Sequence, residues 1–399
     1  MIVKVLLLIL FFAVMVGIGF YSRKHATNVD GFVLGGRSVG PWLTAFAYGT
    51  SYFSAVVFVG YAGQFGYKYG ISATWIGIGN ALIGSLLAWI VLGRRTRIMS
   101  KHLKAKTMPD YFGKRFDSNA LRVTAAVISF VFLIPYTASV YNGLSRLFEM
   151  AFDVPYTVCV VVMAALTCVY VILGGYMATA INDFVQGIVM LVGIVAVIAS
   201  VLNGQGGFMQ AVFKLSEIPS DIPVTMGQQG AFTSFFGPDP LNLLGVVILT
   251  SLGTWGLPQM VSKFYAIRDE KAVKTGTVIS TLFAIVVSGG CYFLGGFARL
   301  FDSDAIRNAQ GGIVYDAIIP TMLNSLSDIL IGIVIVLVLS ASMSTLSSLV
   351  LTSSSTLTLD FLMGKIKKKK DEKKPCSRPH KNSFKLAFLP TLSPNAQVS

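Results

Sequence analysis

Nine stretches of this chain are apolar over the length that a membrane helix requires, near residues 1 to 21, 41 to 66, 73 to 93, 121 to 150, 155 to 173, 177 to 202, 240 to 262, 275 to 299 and 325 to 359. Roughly 20 apolar residues carry an α-helix across a bilayer core. Only helices and closed barrels can cross it, because lipid offers no hydrogen bonds to a free backbone. Runs of this length and period predict helices, so the chain reads as an all-α polytopic membrane protein. Composition agrees: 13% of the 399 residues are charged and 54% are hydrophobic, whereas soluble domains carry about 25% charged residues. The first run has no small-residue cleavage site before Tyr21-Ser22-Arg23-Lys24, and it is read as a spanning helix, not a removable signal.

A formal charge of +14 raises the question of nucleic acid, but the basic residues are dealt out to alternate loops and do not share one face. Arg23, Lys24 and Arg37 follow the first run. Arg94, Arg95, Arg97, Lys101, Lys104, Lys106, Lys114 and Arg115 follow the third; Lys263, Arg268, Lys271 and Lys274 flank the loop after the seventh; Lys365 to Lys374 follow the ninth. The loops between hold little beyond Lys68, Lys214 and Arg307. By the positive-inside rule this places the amino terminus outside and the carboxyl terminus in the cytoplasm. Cys159, Cys168 and Cys291 lie in apolar runs and Cys376 in the tail, while His25, His102 and His380 are scattered. That distribution supports neither a disulfide framework nor zinc or Cys/His nucleophile chemistry, and an enzyme is not expected.

Two runs are interrupted, at Gly49-Thr50-Ser51-Tyr52-Phe53-Ser54 and at Gly253-Thr254-Trp255-Gly256-Leu257-Pro258. Unwound backbone at membrane depth is tolerated only where it is buried or lines a cavity, and paired breaks in corresponding spans are a mark of inverted-repeat transporters. Gly and Pro are also frequent in ordinary membrane helices. The ninth run carries Ala341, Ser344, Thr345 and Ser348 on one helix face. Hydroxyls beside free carbonyls suit a hard monovalent cation; they also suit close helix packing or bonding back to the helix's own carbonyls. Asp183 is a carboxylate within an apolar stretch. It calls for an ion or hydroxyl partners, unless it sits at a helix start after the Gly174-Gly175 turn.

Taken in this order, Phe32-Val33-Leu34-Gly35-Gly36-Arg37-Ser38, Thr107-Met108-Pro109-Asp110-Tyr111-Phe112, Gly174-Gly175, Asn182-Asp183, Gly256-Leu257-Pro258 and Met343-Ser344-Thr345 resemble the sodium:solute symporter family, which includes proline, pantothenate, sialic acid and sugar carriers. The likeness spans a transmembrane domain of residues 1–362. It implies the leucine-transporter architecture, in which an extra first helix precedes two inverted repeats of five core helices. The second, seventh and ninth runs then stand as core helices 1, 6 and 8. The resemblance also implies a sodium site built from the carbonyls of Thr50, Phe53 and Ala341 and the hydroxyls of Ser344 and Thr345. Members that couple two sodium ions add a site whose residues match Asp183, Ser344, Ser347 and Ser348. Substrate is implied near Tyr52, Ser54, Tyr136, Thr250, Thr254 and Trp255, although the aromatic members of that set also suit plain packing.

Two departures qualify the likeness. Proline carriers have an acidic residue at Tyr52, a tryptophan at Thr250 and a tyrosine at Thr254, so their amine-reading set is absent, although the backbone motifs stand nearest the proline and pantothenate branches. Family members also continue past core helix 8, whereas residues 363–399 read as a basic, disordered cytoplasmic tail, which leaves core helices 9 and 10 absent. The expected protein is a multi-pass cell-membrane symporter with sodium as coupling ion and no other cofactor. Its partners are a small organic solute and the bilayer, with no nucleic acid and no obligate protein partner. The solute is an amino acid such as proline or a related organic acid, with a vitamin (pantothenate) or sugar as the alternative. A non-transporting sodium- and solute-binding membrane protein is the competing class.

Overall fold

The structure, a computed structural model, describes residues 2–152, 155–308, 310–324 and 326–362. The expected basic tail, 363–399, lies outside the described residues. Among those residues the regular structure is helical, and β pairing is confined to the isolated bridges Val39 to Ile267 and Arg307 to Ile313. The apolar runs become α1 (Ile2–Ser22), α3 (Pro41–Tyr52), α4 (Ala62–Tyr69), α5 (Thr74–Gly79), α8 (Asn119–Phe152), α9 (Tyr156–Gly204), α11 (Pro240–Gly253), α12 (Pro258–Ala266), α13 (Glu270–Ala284), α14 (Gly290–Gly295) and α16 (Asp328–Ser355). Shorter connectors are α2 (Val29–Leu34), α6 (Arg94–His102), α7 (Met108–Arg115), α10 (Phe208–Ser216) and α15 (Tyr315–Leu323). π-Helical turns at Val56–Tyr61, Asn80–Leu87, Trp89–Gly93 and Ile285–Gly289 join several of these into longer rods.

By length and composition six helical rods can cross a membrane, or seven if Pro240–Gly256 and Pro258–Ala266, bent by 53°, form one span. Nine crossings were expected. The difference lies in two rods, Val56–His102 with 47 residues and Val160–Gly204 with 45. At about 1.5 Å per residue each would be far longer than the ~30 Å core. Each also turns at a glycine with positive φ, Gly70 (63°) and Gly175 (54°), a conformation from which a side chain is sterically discouraged. Gly175 is packed so that a Cβ there would stand 2.7 Å from the Phe32 carbonyl oxygen.

The packing is inverted relative to a water-soluble protein. Leu10, Phe132, Val161, Ile172, Val192 and Leu249 are exposed, while Thr50, Ser51, Asn182, Asp183, Gln186, Ser340, Ser344, Thr345 and Ser347 are buried. Large apolar side chains outside and hydroxyls within are what lipid requires of a multi-pass membrane protein. The Gly35-Gly36-Arg37 motif now has a structural reason. All three residues have positive φ, and the turn aims the Arg37 guanidinium at the carbonyls of Ala105 (2.5 Å), Tyr265 (3.3 Å) and Ser100 (3.4 Å). Arg97 likewise donates to the carbonyls of Ile267 and Arg268. Residues counted as loop charges thus tie the entry of α3 to the exit of α12, where Val39 and Ile267 pair.

Candidate functional site

The helix of α3 stops at Phe53, whose backbone is extended (φ −100°, ψ 113°). When the chain resumes, the N–H groups of Val57 and Phe58 both go to the carbonyl of Ser54 (3.0 and 3.1 Å). The carbonyl of Phe53 therefore loses its regular i+4 partner, Val57, and faces sideways into the bundle. On the opposite wall α16 presents its hydroxyl face. Ser344 Oγ lies 3.2 Å from the Thr50 carbonyl oxygen and 3.1 Å from that of Ala341, and its one proton can be donated to either. Thr345 Oγ1 reaches the Phe53 carbonyl at 3.5 Å and that of Ala341 at 3.1 Å. All five residues named from the resemblance for a sodium site meet here, and all are buried. Their oxygens are neutral, hard and mutually close, a donor set that fits an alkali cation and no soft metal.

Asp183 is not at a helix start. It lies well inside the second half of α9, completely buried, and its carboxylate makes no hydrogen bond among the described residues. Its counter-charge is the ammonium of Lys263 on α12, 3.6 Å away. Sequence position had made Lys263 a cytoplasmic loop charge; the structure corrects this, since the residue is 2% exposed and faces the bundle interior. The same Nζ donates to Ser348 Oγ at 3.0 Å, and Ser348 in turn shares a hydrogen bond of 2.9 Å with Ser51 of α3. Ser347 donates to its own helix, to the carbonyl of Ser344 at 3.0 Å.

The solute residues divide into two groups. Tyr52 donates to the carbonyl of Thr250 at 3.2 Å, and a Cβ placed on Gly84 would lie 3.4 Å from the Tyr52 hydroxyl and 3.5 Å from that of Thr254. Thr254 Oγ1 donates to Ser251 O (2.9 Å) and Trp255 Nε1 to Ile83 O (3.0 Å), so Tyr52, Thr250, Thr254 and Trp255 gather where α3 and α11 meet the rod containing Asn80. Tyr136 packs against Leu133, Val140, Leu346 and Leu349 and also lies near enough to Tyr52 to act on it electrostatically. Ser54 is buried in the break itself.

The model of the sodium:solute symporter family matches residues 32–381. The chain belongs to that family. Sodium/proline symporters of Staphylococcus aureus, strains JH9 and NCTC 8325 / PS 47, are each 30% identical over 375 residues, covering 89% of this chain and 67% of theirs. A solved Na+-coupled sialic acid symporter, in a substrate-bound outward-open state, aligns with a TM-score of 0.75 at 17% identity, over 90% of this chain and 73% of that one. That likeness carries the leucine-transporter-like fold. Family membership carries the class of activity, sodium-coupled symport, and the family and fold are those of transporters.

Among the buried polar residues that escaped the sequence reading, three stand at or beside the site. Besides Lys263, they are Asn80, whose Oδ1 accepts from Thr250 (3.0 Å) and Ser251 (3.1 Å), and Gln259, whose amide has no partner among the described residues. Asn80 and Gln259 are polar side chains inside apolar runs, the same signal that drew notice to Asp183, whereas Lys263 lies one residue past the end of its run.

Proposed function

We propose that this symporter carries a small organic solute, an amino acid such as proline or a related organic acid, into the cell together with sodium by alternating access. The observation that carries the reading is the facing of Ser344 and Thr345 onto the carbonyls of Thr50 and Phe53. The two hydroxyls donate to those carbonyls; with their protons rotated away, five oxygens would be turned toward one cation. Sodium would then hold α3 to α16 and fix the break that carries Tyr52 and Ser54 into the solute site, with Tyr136, Thr250, Thr254 and Trp255 as its other walls. Each sodium moving inward through 100 mV supplies about 2.3 kcal/mol, a solute gradient of roughly fiftyfold. In this reading the chain crosses the cell membrane nine times, divided at Gly70 and Gly175, with the amino terminus outside and the basic loops in the cytoplasm. The amino-acid preference rests on the sodium/proline symporters that it resembles at 30% identity.

The test is uptake of a labelled panel (proline, other amino acids, pantothenate, short carboxylates, hexoses, sialic acid) into right-side-out vesicles under an inward sodium gradient or sodium-free potassium. The expected result is accumulation of an amino acid that collapses without sodium and is impaired in Ser344→Ala. Uptake indifferent to sodium, or none from folded and inserted protein, would overturn the reading.

A further inference from the structure

Asp183, Ser344, Ser347 and Ser348 are the expected ligands of a second sodium, but their oxygens do not converge on one point. Ser344 faces Thr50 and Ala341, and Ser347 is turned to the carbonyl of Ser344. What lies between Asp183 and Ser348 is the ammonium of Lys263, 3.6 Å from the carboxylate and 3.0 Å from the hydroxyl. The ring of Tyr176, 5.3 Å away, offers its face to the same ammonium. A pocket of about 20 Å³ beside Lys263 has room for about one water to take the remaining proton.

A carboxylate buried this deeply must be neutralised. Lys263 does so with one positive charge, the same charge a sodium ion would bring, and it uses the hydroxyl such an ion would need. A sodium added beside it would set two cations against one carboxylate in a site shielded from water, where like charges repel far more strongly than in solvent. Lysine reaches this place because Pro258 restarts the helix at the break in the seventh span. The residue therefore rides on the cytoplasmic half of core helix 6 and faces α9 and α16.

We infer that Lys263 is a tethered substitute for the second sodium, so that this symporter couples one sodium ion to each solute. The inference rests on the symport reading above and adds its stoichiometry.

Binding of ²²Na⁺ to the purified full chain at saturating sodium tests it without knowledge of the solute. The wild type is expected to bind one ion per molecule. The charge-neutral pair Asp183→Asn/Lys263→Met, which leaves no buried charge uncompensated, is expected to bind one ion with affinity unchanged within a few-fold. Lys263→Met alone, if it folds, is expected to bind two, because the freed carboxylate recruits sodium. Two ions in the wild type falling to one in the neutral pair would overturn the inference while leaving sodium symport intact, as would a folded Lys263→Met that binds only one. No bound sodium in the wild type would instead remove the sodium site itself, and the symport reading with it.

Discussion

Ser344 on α16 and Thr50 at the end of α3 are 294 residues apart in sequence, yet the serine hydroxyl lies 3.2 Å from the threonine carbonyl. Helix 8 of the core meets the broken helix 1 at this contact, and any cation held between them loses a ligand if either oxygen is removed. Ser344→Ala is expected to raise the sodium concentration for half-maximal uptake by about tenfold, the effect of roughly 1.4 kcal/mol. Thr345→Val should act in the same direction, whereas Thr345→Ser, which keeps the oxygen, should stay near wild type. The check is uptake as a function of sodium at fixed solute.

Asn80 is expected to act on the solute and not on the ion. Its carbonyl oxygen takes the hydroxyls of Thr250 and Ser251, and its amide reaches Ser288 Oγ at 3.4 Å, so it sets where Thr250 and Thr254 stand relative to Tyr52. Asn80→Ala should raise the KM for solute several-fold while the sodium dependence moves little. A parallel shift in both would show that the two sites are coupled through this side chain.

The difference between what could be read from sequence and what could not follows from distance along the chain. The break in α3 was legible because Gly49 to Ser54 put small and hydroxyl residues where lipid-facing helix would have apolar ones, and the family resemblance named the five residues that the fold brings together there. Lys263 was not legible, because it stands at the edge of a basic stretch and its partner Asp183 belongs to another helix. The Thr107-Met108-Pro109-Asp110 motif could be recognised but not explained. Thr107 caps α7 by accepting from Asp110 N at 3.1 Å, and its hydroxyl donates at 2.5 Å to Asp360, beyond the end of α16. The apolar runs number nine and the rods long enough to cross six or seven, since at Gly70 and Gly175 the chain turns inside rods that helical hydrogen bonding keeps continuous.

The Thr107 contact belongs to a cluster that fastens the C-terminal end of α16. Arg122 of α8 donates to Asp360 Oδ1 at 2.9 Å and to the Leu359 carbonyl at 2.7 Å, and Lys114 holds Asp110 at 2.8 Å. Asp360→Asn takes from Arg122 its nearer counter-charge in a partly buried position and leaves it Asp110 Oδ1 at 3.8 Å. A loss of about 1–3 kcal/mol is expected, read as a lower melting temperature in detergent, with Thr107→Val losing less because Arg122 keeps its partner.

At the start of α13 the cap is a carboxylate. Asp269 accepts from the N–H of Ala272 at 2.7 Å and pairs with Arg268 at 2.8 Å. That backbone hydrogen bond, and then the neighbouring guanidinium, hold its carboxyl below the ordinary carboxylate value. A depressed folded-state value stabilises the fold above the unfolded value of about 3.9 and ceases to do so as pH falls through the lower folded one. Asp269→Ala should therefore lower the melting temperature at neutral pH, and the gap from wild type should close below about pH 4. A gap that persists in acid would mean that the side chain acts by packing and not by charge.

Gly66 of α4 rests directly on Gly295 of α14. A Cβ on Gly66 would come within 2.0 Å of the Gly295 carbonyl group, and a Cβ on Gly295 within 2.0 Å of the Ala62 carbonyl oxygen. What blocks the space is backbone on both sides, so no side chain can rotate away, and the two helices would have to separate. Close approach of this kind is how membrane helices gain packing energy without a hydrophobic driving force. Gly66→Ala is expected to cost about 1–3 kcal/mol and to lower the melting temperature in detergent. Gly245→Ala is the control, because a Cβ there meets nothing within 4 Å and alanine favours helix over glycine. If Gly66→Ala melted no lower than Gly245→Ala, α4 would not be packed backbone to backbone against α14.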